Sequence, residues 1–509
     1  MTRPSSFTPL ASALACALLA GCNLAPRYQA PSPPVPERLA PQLAPGTTGA
    51  DGVALADSGP MAWQDFVQEP RLRELVAMAL GNNRDLRLAV LAMDKARAQY
   101  GVAQADRLPT VNATGSGNRA RTADDLTTPG RPNTTSQYSA SLGFSSYEID
   151  FFGRIRNLND AALQDFLRVA ENRRSVQLSL VAEVMGAWLT LDADARRLRL
   201  ARETLRTRQH ALQLTRRSHE LGATSALALA QAQSSADTAR VDAAAFASQL
   251  ARDRNALALV VGAPVPAALL PSGVEQALQA PPTQAGNTAD GDKIPALAAP
   301  AAAAGALLAI PADLPSSALL QRPDIRAAEH ALRGSYASIG AARAAFFPAI
   351  TLTASVGQAS NALSGLFEGG NGTWAFAPQL RLPIFDAGRN QANLRVAEVT
   401  RDQAVAQYEK TIQTAFREVA DALAERATLD DRLAAQDSLI AATRRALELS
   451  DARFRLGADN YLTVLDAQRS LYAAQQAEIT LQLAEQINRI TLYKVLGGQW
   501  ASGVEQPEG

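Results

Sequence analysis

Two regions of the chain alternate apolar and polar side chains with a period of two residues. The apolar positions of the first region are Tyr138, Ala140, Leu142 and Phe144, and those of the second are Ile350, Leu352, Ala354, Val356, Trp374, Phe376, Leu380 and Leu382. A strand shows this alternation when its two faces meet different surroundings. The pattern predicts β-hairpins over about 110–150 and 349–384, and both a half-buried sandwich and a membrane barrel would produce it.

Each predicted β-hairpin is followed by a very long helical segment. From Arg154 to Glu220 the chain has no proline and one glycine, Gly186, and at 1.5 Å per residue it would form roughly 100 Å of helix. A heptad repeat occupies Val184, Leu191, Leu198, Leu205 and Leu212, and a second one, interrupted by Arg426, occupies Val419, Leu433, Ile440, Leu447 and Phe454. Sustained heptads predict coiled-coil packing, so we expect helical hairpins over 154–262 and 389–497 that turn at Leu-Gly-Ala.

The same motifs occur twice in the same order. Residues 83–87 correspond to 322–326, the turn at 221–223 corresponds to 456–458, and Gly262 corresponds to Gly497, all at nearly constant spacing. Such regularity indicates a tandem duplication. We expect a first copy over 61–262, a Pro/Ala-rich linker over 263–321, a second copy over 322–497 and a tail over 498–509.

The amino terminus has the features of an export signal. Residues 1–21 combine one basic residue with an apolar run that is too short to span a membrane and ends in small residues. The sequence LAGC that ends at Cys22 resembles the bacterial lipobox, in which the cysteine becomes the lipid-modified first residue of the mature chain. The resemblance implies acylation of Cys22; ordinary signal cleavage beside an incidental cysteine is the alternative. Residues 22–60 are predicted to form an extended Pro/Ala-rich lead.

Composition narrows the classes of function. The 49 Lys and Arg residues balance the 49 Asp and Glu residues, so the net charge does not favour nucleic acid as a partner. Three histidines and two cysteines leave little material for a metal site or a catalytic thiol. We therefore expect a protein that is not an enzyme and that uses neither a cofactor nor a metal.

The elements together predict a mainly helical membrane protein built from several chains. No segment of the mature chain reaches the roughly 20 apolar residues of a spanning helix. Four strands that face lipid must close into a barrel, because an open edge leaves backbone groups unsatisfied in hydrocarbon. Closure needs at least about eight strands, and three chains would supply twelve.

The strand-to-helix junctions resemble those of a known family. The segments 147–154 (YEIDFFGR) and 382–389 (LPIFDAGR) look like the paired signatures of the outer membrane factors, which are TolC-like exit ducts, and the chain is most similar to their lipid-anchored, NodT-type efflux branch. Motifs at 314–316, 319–325 and 492–498 match as well. The resemblance implies a homotrimer with a twelve-stranded outer-membrane β-barrel that continues into a periplasmic α-helical barrel. It also implies a periplasmic adaptor and an inner-membrane pump, commonly of the proton-driven drug-efflux type.

The residues with a mechanical role are expected near the turns of the helical hairpins. Leu462 and Asp466 share one helix face, and threefold symmetry would convert them into an apolar ring and a carboxylate ring that attracts cations. The family resemblance implies that they constrict the closed periplasmic entrance; a surface aspartate near a turn is the alternative. The resemblance also implies adaptor-contact tips, which a plain glycine turn explains almost equally well, at Leu221, Gly222, Ala223, Thr224, Leu456, Gly457, Ala458 and Asp459.

We therefore expect an outer-membrane channel component of a tripartite efflux system that passively conducts small molecules such as antibiotics or other toxic compounds. A periplasmic adaptor lipoprotein is one rival, but an adaptor usually has a single helical hairpin flanked by small β domains. An exit duct for type I secretion of protein or peptide is another rival. The lipobox favours the efflux branch by resemblance only.

Overall fold

A computed structural model describes residues 23–36, 62–279, 305–308 and 316–498. The predicted signal peptide, Cys22, the lead after residue 36, most of the linker and the tail after residue 498 lie outside the described residues. Within them the chain is mainly helical and contains one antiparallel sheet of four strands. The predicted fold class, mainly helical with four strands in each chain, is confirmed.

The elements follow a similar order in the two halves of the chain. The first half contains α1 (Trp63–Phe66), α2 (Pro70–Asn82), α3 (Arg84–Ala105), β1 (Asn112–Arg121), β2 (Thr134–Ile149), α4 (Arg154–Glu220), α5 (Ala226–Val261) and α6 (Val274–Gln279). The second half contains α7 (Pro323–Ala344), β3 (Ala349–Ser360), β4 (Gly372–Arg381), α8 (Arg389–Arg455) and α9 (Tyr461–Val495). Short 3₁₀ turns occupy Asp124–Leu126, Ala267–Leu269, Ser316–Gln321 and Leu363–Gly365.

These elements belong to two compact units. Among the described residues, unit 1 comprises 23–33, 91–171 and 326–410 and includes all four strands. Unit 2 comprises 34–36, 62–90, 172–279, 305–308, 316–325 and 411–498. The long helices α4 and α8 have 67 residues each and contribute to both units. Neither contains a proline, which would remove a backbone hydrogen bond and interrupt the helix.

The sheet of unit 1 has the strand order β1-β2-β3-β4, so the two hairpins meet where β2 pairs with β3. Large apolar side chains share one face: Leu142 is opposite Val356, which is opposite Trp374. The other face carries small polar side chains, with hydroxyl pairs at Thr114–Ser141 (2.8 Å) and Ser116–Ser139 (2.7 Å). The sheet therefore has one apolar face and one small, polar face.

Strand β2 contains a bulge that a simple alternation does not predict. Phe144 pairs with Ala354 and Tyr147 pairs with Leu352, so β2 has one residue more than β3 in this interval. Ser146 has a φ of 55°, and its backbone N–H donates to the Thr353 hydroxyl at 3.1 Å. Because a one-residue slip exchanges the two faces, the extra residue returns Tyr147 to the apolar face.

On the polar face, two glycines allow β2 and β3 to approach closely. Gly143 lies opposite Ser355, and Gly357 lies opposite Ser141. A Cβ at Gly143 would lie 2.3 Å from a backbone oxygen of β3, and a Cβ at Gly357 would lie 2.3 Å from a backbone oxygen of β2. Only glycine fits such an approach of two backbones.

In unit 2 the heptad positions of the first copy form a buried seam. Each of the five is at most 8% exposed: Val184, Leu191, Leu198, Leu205 and Leu212. Alanines of α5, including Ala239 and Ala243, pack against this seam, and their small size lets the helices approach. The second repeat is less regular, because Ile440 and Leu447 are buried but Phe454 is 39% exposed.

Within unit 2, an equivalent hydrogen bond reaches the end of the helical hairpin in each of the two predicted copies. The side-chain amide of Asn83 donates to the backbone oxygen of Val260 at 2.7 Å. Arg322, the counterpart of Asn83, donates through Nη1 to the backbone oxygen of Val495 at 2.8 Å. The two predicted copies therefore share a hydrogen bond from the residue before a 22-residue helix to the end of a helical hairpin, and its donor is neutral in the first copy and cationic in the second.

The cation is surrounded by acids. Arg322 is 8% exposed and donates to both oxygens of Asp324, at 3.0 and 2.7 Å, and to Glu418 at 2.8 Å. Burial works against the charged guanidinium, but hydrogen bonds to Asp324 and Glu418 outweigh it and raise the pKa of Arg322. The group therefore stays charged in the folded protein.

One described helix, α4, has a stretch long and apolar enough to cross a membrane. Of that stretch, 56% is buried inside the chain. A helix buried in the core of a soluble domain can be equally long and apolar. The buried heptad positions account for the apolar composition of α4.

Candidate functional site

The turns of the two helical hairpins share one backbone conformation. Gly222 follows the end of α4 with a φ of 71°, and Gly457 follows α8 with a φ of 72°. The next residue donates to a carbonyl five residues earlier, Ala223 at 2.8 Å and Ala458 at 2.9 Å. These are Schellman-type helix ends, which favour glycine because the left-handed region excludes most side chains.

Each turn leads directly into a capped helix. The Ser225 hydroxyl accepts a hydrogen bond from the third residue of α5 at 3.2 Å. The Asn460 side chain accepts one from Thr463 of α9 at 3.3 Å. Such caps satisfy backbone groups at the start of a helix and fix the direction in which the chain returns.

Both turns present a leucine to solvent. Leu221 is 84% exposed and Leu456 is 85% exposed. The turn residues with predicted contact roles are therefore accessible on the isolated chain, and their backbone is already fixed by internal hydrogen bonds. An ordered apolar tip of this kind can dock without a large loss of conformational freedom.

The side chains that brace the two tips differ. At the second tip, the Arg453 guanidinium donates to both carboxylate oxygens of Asp459, at 2.6 and 3.0 Å. The hydrogen bond from Arg453 lowers the pKa of the Asp459 carboxyl. At the first tip, Nδ1 of His219 lies 3.0 Å from the backbone oxygen of Thr224. The two tips thus have the same backbone conformation and differ in the charged side chains that stabilise it.

The predicted gate residues lie on the first turns of α9. Leu462 is 38% exposed and the side chain of Asp466 is 58% exposed, whereas Val464 and Leu465 between them are buried. The structure therefore places both predicted residues on an accessible face of one helix and directs the intervening pair into the core of unit 2.

The charge of Asp466 has a partner that the sequence-based expectation did not include. Arg469 lies three residues later on the same helix, and its Nη2 donates to Oδ1 of Asp466. Positions three apart are neighbours on a helix surface, so the spacing itself was the available signal. A ring built from this helix would contain three ion pairs instead of three isolated carboxylates.

Residues of α4, α8 and α9 line a small cavity of about 60 Å³ in unit 2. Arg208 of α4 is 5% exposed, and its guanidinium lies 5.5 Å from the centre of the Tyr472 ring. The Tyr472 hydroxyl contacts a carboxylate oxygen of Asp242 at 3.3 Å. This chain of contacts joins α4, α5 and α9, and pattern analysis of a single helix gives no signal for it.

No group of three or more His, Cys, Asp or Glu residues that could hold a metal ion occurs within the described parts of the chain. The candidate site is therefore a set of surfaces and faces: the two-faced sheet of unit 1, and the tips and the gate pair of unit 2. This arrangement suits conduction and docking.

The family model described as outer membrane efflux protein matches the chain twice, over residues 75–263 and 314–498. The chain belongs to this family. One match falls on each predicted copy. Members of the outer membrane efflux protein family are transporters, so the function of this chain is transport through a channel.

Individual comparisons agree with this membership. The antibiotic efflux pump outer membrane protein ArpC of Pseudomonas putida is 43% identical over 98% of this chain and 99% of its own length. The toluene efflux pump outer membrane protein TtgC, also of Pseudomonas putida, has the same identity and coverage. A solved structure of the open state of the Neisseria gonorrhoeae MtrE outer membrane channel has a TM-score of 0.78 and 35% identity, and covers 94% of this chain and 98% of that one.

The predicted class of function and the predicted location are therefore confirmed: the chain is an outer membrane efflux protein. The acylation of Cys22, the gate pair and the adaptor-contact tips stay predictions.

Proposed function

We propose that three copies of the chain close into one channel. The observation that carries this proposal is the pair of free strand edges: β1 and β4 end the four-stranded sheet, and every residue in both is exposed on the isolated chain. Strand edges cannot stay open in lipid, and four strands are fewer than the roughly eight that closure needs. Pairing β4 of each subunit with β1 of the next removes every edge in a trimer.

The two faces of the sheet support the orientation of this barrel. Val356, Trp374 and Phe376 lie on the apolar face and are 62%, 80% and 61% exposed, which suits contact with lipid. The small hydroxyl-bearing side chains of the other face would line the pore. In this assembly each copy, 61–262 and 322–497, contributes one β-hairpin and one helical hairpin, and the helices form the periplasmic barrel.

The tips are the proposed contacts with a periplasmic adaptor, which in turn joins the channel to an inner-membrane pump. Leu221 and Leu456 are almost fully exposed on fixed turns, and exposed apolar residues on an ordered surface commonly mark a docking site. Leu462 and Asp466 form the proposed periplasmic gate. The pump supplies the energy, commonly from protons in this class of system, and the channel conducts passively.

The proposed cargo is a small, largely apolar toxic molecule. The relatives ArpC and TtgC are named for antibiotic and toluene efflux, and both are 43% identical to this chain over nearly its full length. We further propose that Cys22 is acylated. Several acyl chains on one residue would hold the amino terminus at the membrane stably.

A drug-susceptibility panel tests the efflux function. A strain that lacks its other outer-membrane efflux channels receives the wild-type gene, an empty vector, or a Leu456→Asp variant that keeps the turn glycine and should still assemble. We expect wild type alone to restore resistance to several apolar antibiotics, solvents or dyes, because the variant buries a charge at the adaptor contact. Failure of assembled wild-type protein to restore any resistance would contradict efflux, and recovery of a missing exported protein would instead support secretion.

A further inference from the structure

The amino-terminal lead makes a specific contact with α7 inside unit 1. The Tyr28 hydroxyl donates to Oε1 of Glu329 at 3.0 Å, and the Arg333 guanidinium lies 4.8 Å from the centre of the Tyr28 ring. The same ring meets Tyr336 edge-on, with the ring centres 5.6 Å apart. Burial, together with the neighbouring Glu329, raises the pKa of Tyr28 to about 12, so its hydroxyl keeps the proton that it donates.

A second group of contacts lies farther along α7. Nη1 of Arg343 donates to the backbone oxygen of Leu24 at 3.4 Å. A Cβ at Gly340 would lie 2.8 Å from the Cβ of Ala25 and 2.7 Å from the side chain of Asn157. The glycine therefore leaves room for the lead to lie directly against the helix.

The duplicated helix α3 lacks this set of residues. Applying the same spacing that relates Asn83 to Arg322, the positions of Glu329, Arg333, Tyr336, Gly340 and Arg343 correspond in α3 to Val90, Asp94, Arg97, Gly101 and Gln104. The acid that accepts from Tyr28, the cation over its ring and the aromatic partner are all missing there. A Cβ at Gly101 would meet nothing within 4 Å. The contact is thus a property of the second copy, and the repeated helix as such does not account for it.

We propose that Glu329, Arg333, Tyr336, Gly340 and Arg343, called the lead seat below, form a docking site for the chain's own residues 24–28. The lead seat fixes the mature amino terminus to the second copy of each subunit, whether or not Cys22 carries lipid. The residue that would carry the lipid stands only two positions before Leu24. A trimer would accordingly have three equivalent membrane anchors, each held in place by protein contacts.

Trypsin provides a direct test, because Arg27 lies inside the docked segment and its side chain is exposed. A protease cuts a held segment only after the segment opens locally, so the cleavage rate reports the open fraction. Purified full-length wild-type protein should be cut slowly after Arg27. We expect Tyr28→Ala to accelerate this cut by about tenfold, because the hydrogen bond to Glu329 and both ring contacts are lost.

Two further variants separate the contacts and control for folding. Tyr28→Phe keeps the ring contacts with Arg333 and Tyr336 but loses the hydrogen bond to Glu329, so its rate should be intermediate. Gly340→Val should release the lead, whereas Gly101→Val at the equivalent position of α3 should leave the rate unchanged. Each variant must first show the wild-type oligomer size and unfolding temperature.

The lipid-independent part of the proposal is tested with Cys22→Ser, exported with a signal peptide that is cleaved without lipid attachment. We expect the same slow cut after Arg27 as in wild type, and the same acceleration on adding Tyr28→Ala. Equal cleavage rates in wild type and Tyr28→Ala, or loss of protection when the lipid is absent, would overturn the lead seat as an anchor.

Discussion

Substitution of Arg322 is the most direct test of the contact between this residue and the end of the second helical hairpin. Its guanidinium holds the backbone oxygen of Val495 at 2.8 Å and two carboxylates, those of Asp324 and Glu418. Arg322→Met removes the charge and keeps much of the side-chain volume. The change removes the donor to the Val495 carbonyl and to the Glu418 carboxylate, and it leaves Asp324 with only the backbone N–H of Ile325 as a donor, so we expect a clear loss of stability.

The magnitude follows from the exposure of the partners. Removing one member of a buried ion pair costs about 3–5 kcal/mol. The side chains of Asp324 and Glu418 are 39% and 37% exposed, so water can solvate them in part after the arginine is lost. We therefore expect Arg322→Met to lower the free energy of unfolding by about 2–3 kcal/mol. Adding Glu418→Gln should recover part of this, because one unpaired carboxylate is removed.

Denaturant unfolding in detergent, followed by the helical circular dichroism signal, measures this loss at one fixed protein concentration. Asn83→Ala provides an internal comparison, because it removes the equivalent neutral hydrogen bonds of the first copy and should cost about 1–2 kcal/mol. Arg417→Met is the matched control: the Arg417 side chain is 72% exposed and lies 3.9 Å from Asp421 at the nearest atoms. If Arg322→Met unfolds at the same denaturant concentration as Arg417→Met, the structural role of Arg322 is refuted.

Three other predictions concern the gate, the sheet and pH. Asp466→Ala leaves Arg469 without its partner and should shift single-channel selectivity toward anions, and Arg469→Gln should shift it toward cations. Gly143→Val should reduce the yield of assembled protein because its Cβ would lie 2.3 Å from a backbone oxygen, whereas Gly115→Val, with nothing within 4 Å, should assemble normally. Burial and the neighbouring Asp253 raise the pKa of Asp194 from 3.8 to about 6, so the folded state binds this proton more tightly than the unfolded state. Stability should fall as pH rises from about 4 to about 6, and Asp194→Asn should flatten that dependence.

Each of these has a clear contrary result. Unchanged selectivity in both Asp466→Ala and Arg469→Gln, measured in planar bilayers, would reject Asp466 as part of the gate. Equal yields of the two glycine variants would show that the close approach of β2 and β3 is unimportant. If the free energies of unfolding of wild type and Asp194→Asn change with pH in the same way across this range, Asp194 is excluded as the titrating group.

Much of the fold is predictable because it follows from local periodicity. The five heptad positions of α4 are all buried, as a repeat of seven requires once a helix packs along one seam. The strands follow from alternation with a period of two, and Gly222 and Gly457 mark both tips because their left-handed backbone favours glycine. The family membership rested on motifs that are short and local in sequence.

Other features depend on which residues that are far apart in sequence come into contact, and the periodicity of a segment does not predict such contacts. The bulge at Ser146 appears only when β2 is aligned with β3, although the three-residue step from Phe144 to Tyr147 hints at it. The contact of Tyr28 with Glu329 joins positions about 300 residues apart. The Asp466–Arg469 pair was visible in the sequence as a spacing of three, but the expectation considered the carboxylate alone.

The central claim is that β4 of one subunit pairs with β1 of the next, and the duplication predicts the register. Ser116 in β1 corresponds to Ser355 in β3. Gln379 in β4 corresponds to Gly143 in β2, because Gln379 pairs with a residue of β3 and Gly143 pairs with a residue of β1, and these two partners occupy equivalent positions in the two copies. Since Gly143 lies opposite Ser355 within the chain, Gln379 should lie opposite Ser116 of the neighbouring subunit. Two opposed positions on one face are close enough for a disulfide.

Oxidation of the double variant Ser116→Cys, Gln379→Cys in outer membranes, followed by non-reducing electrophoresis, therefore tests the account most directly. We expect covalent dimers and trimers and nothing larger. Each single variant should stay monomeric, and so should Gly115→Cys with Gln379→Cys, because Gly115 lies on the opposite face. Absence of cross-linked species, or a ladder that continues beyond three chains, would contradict a closed trimeric barrel.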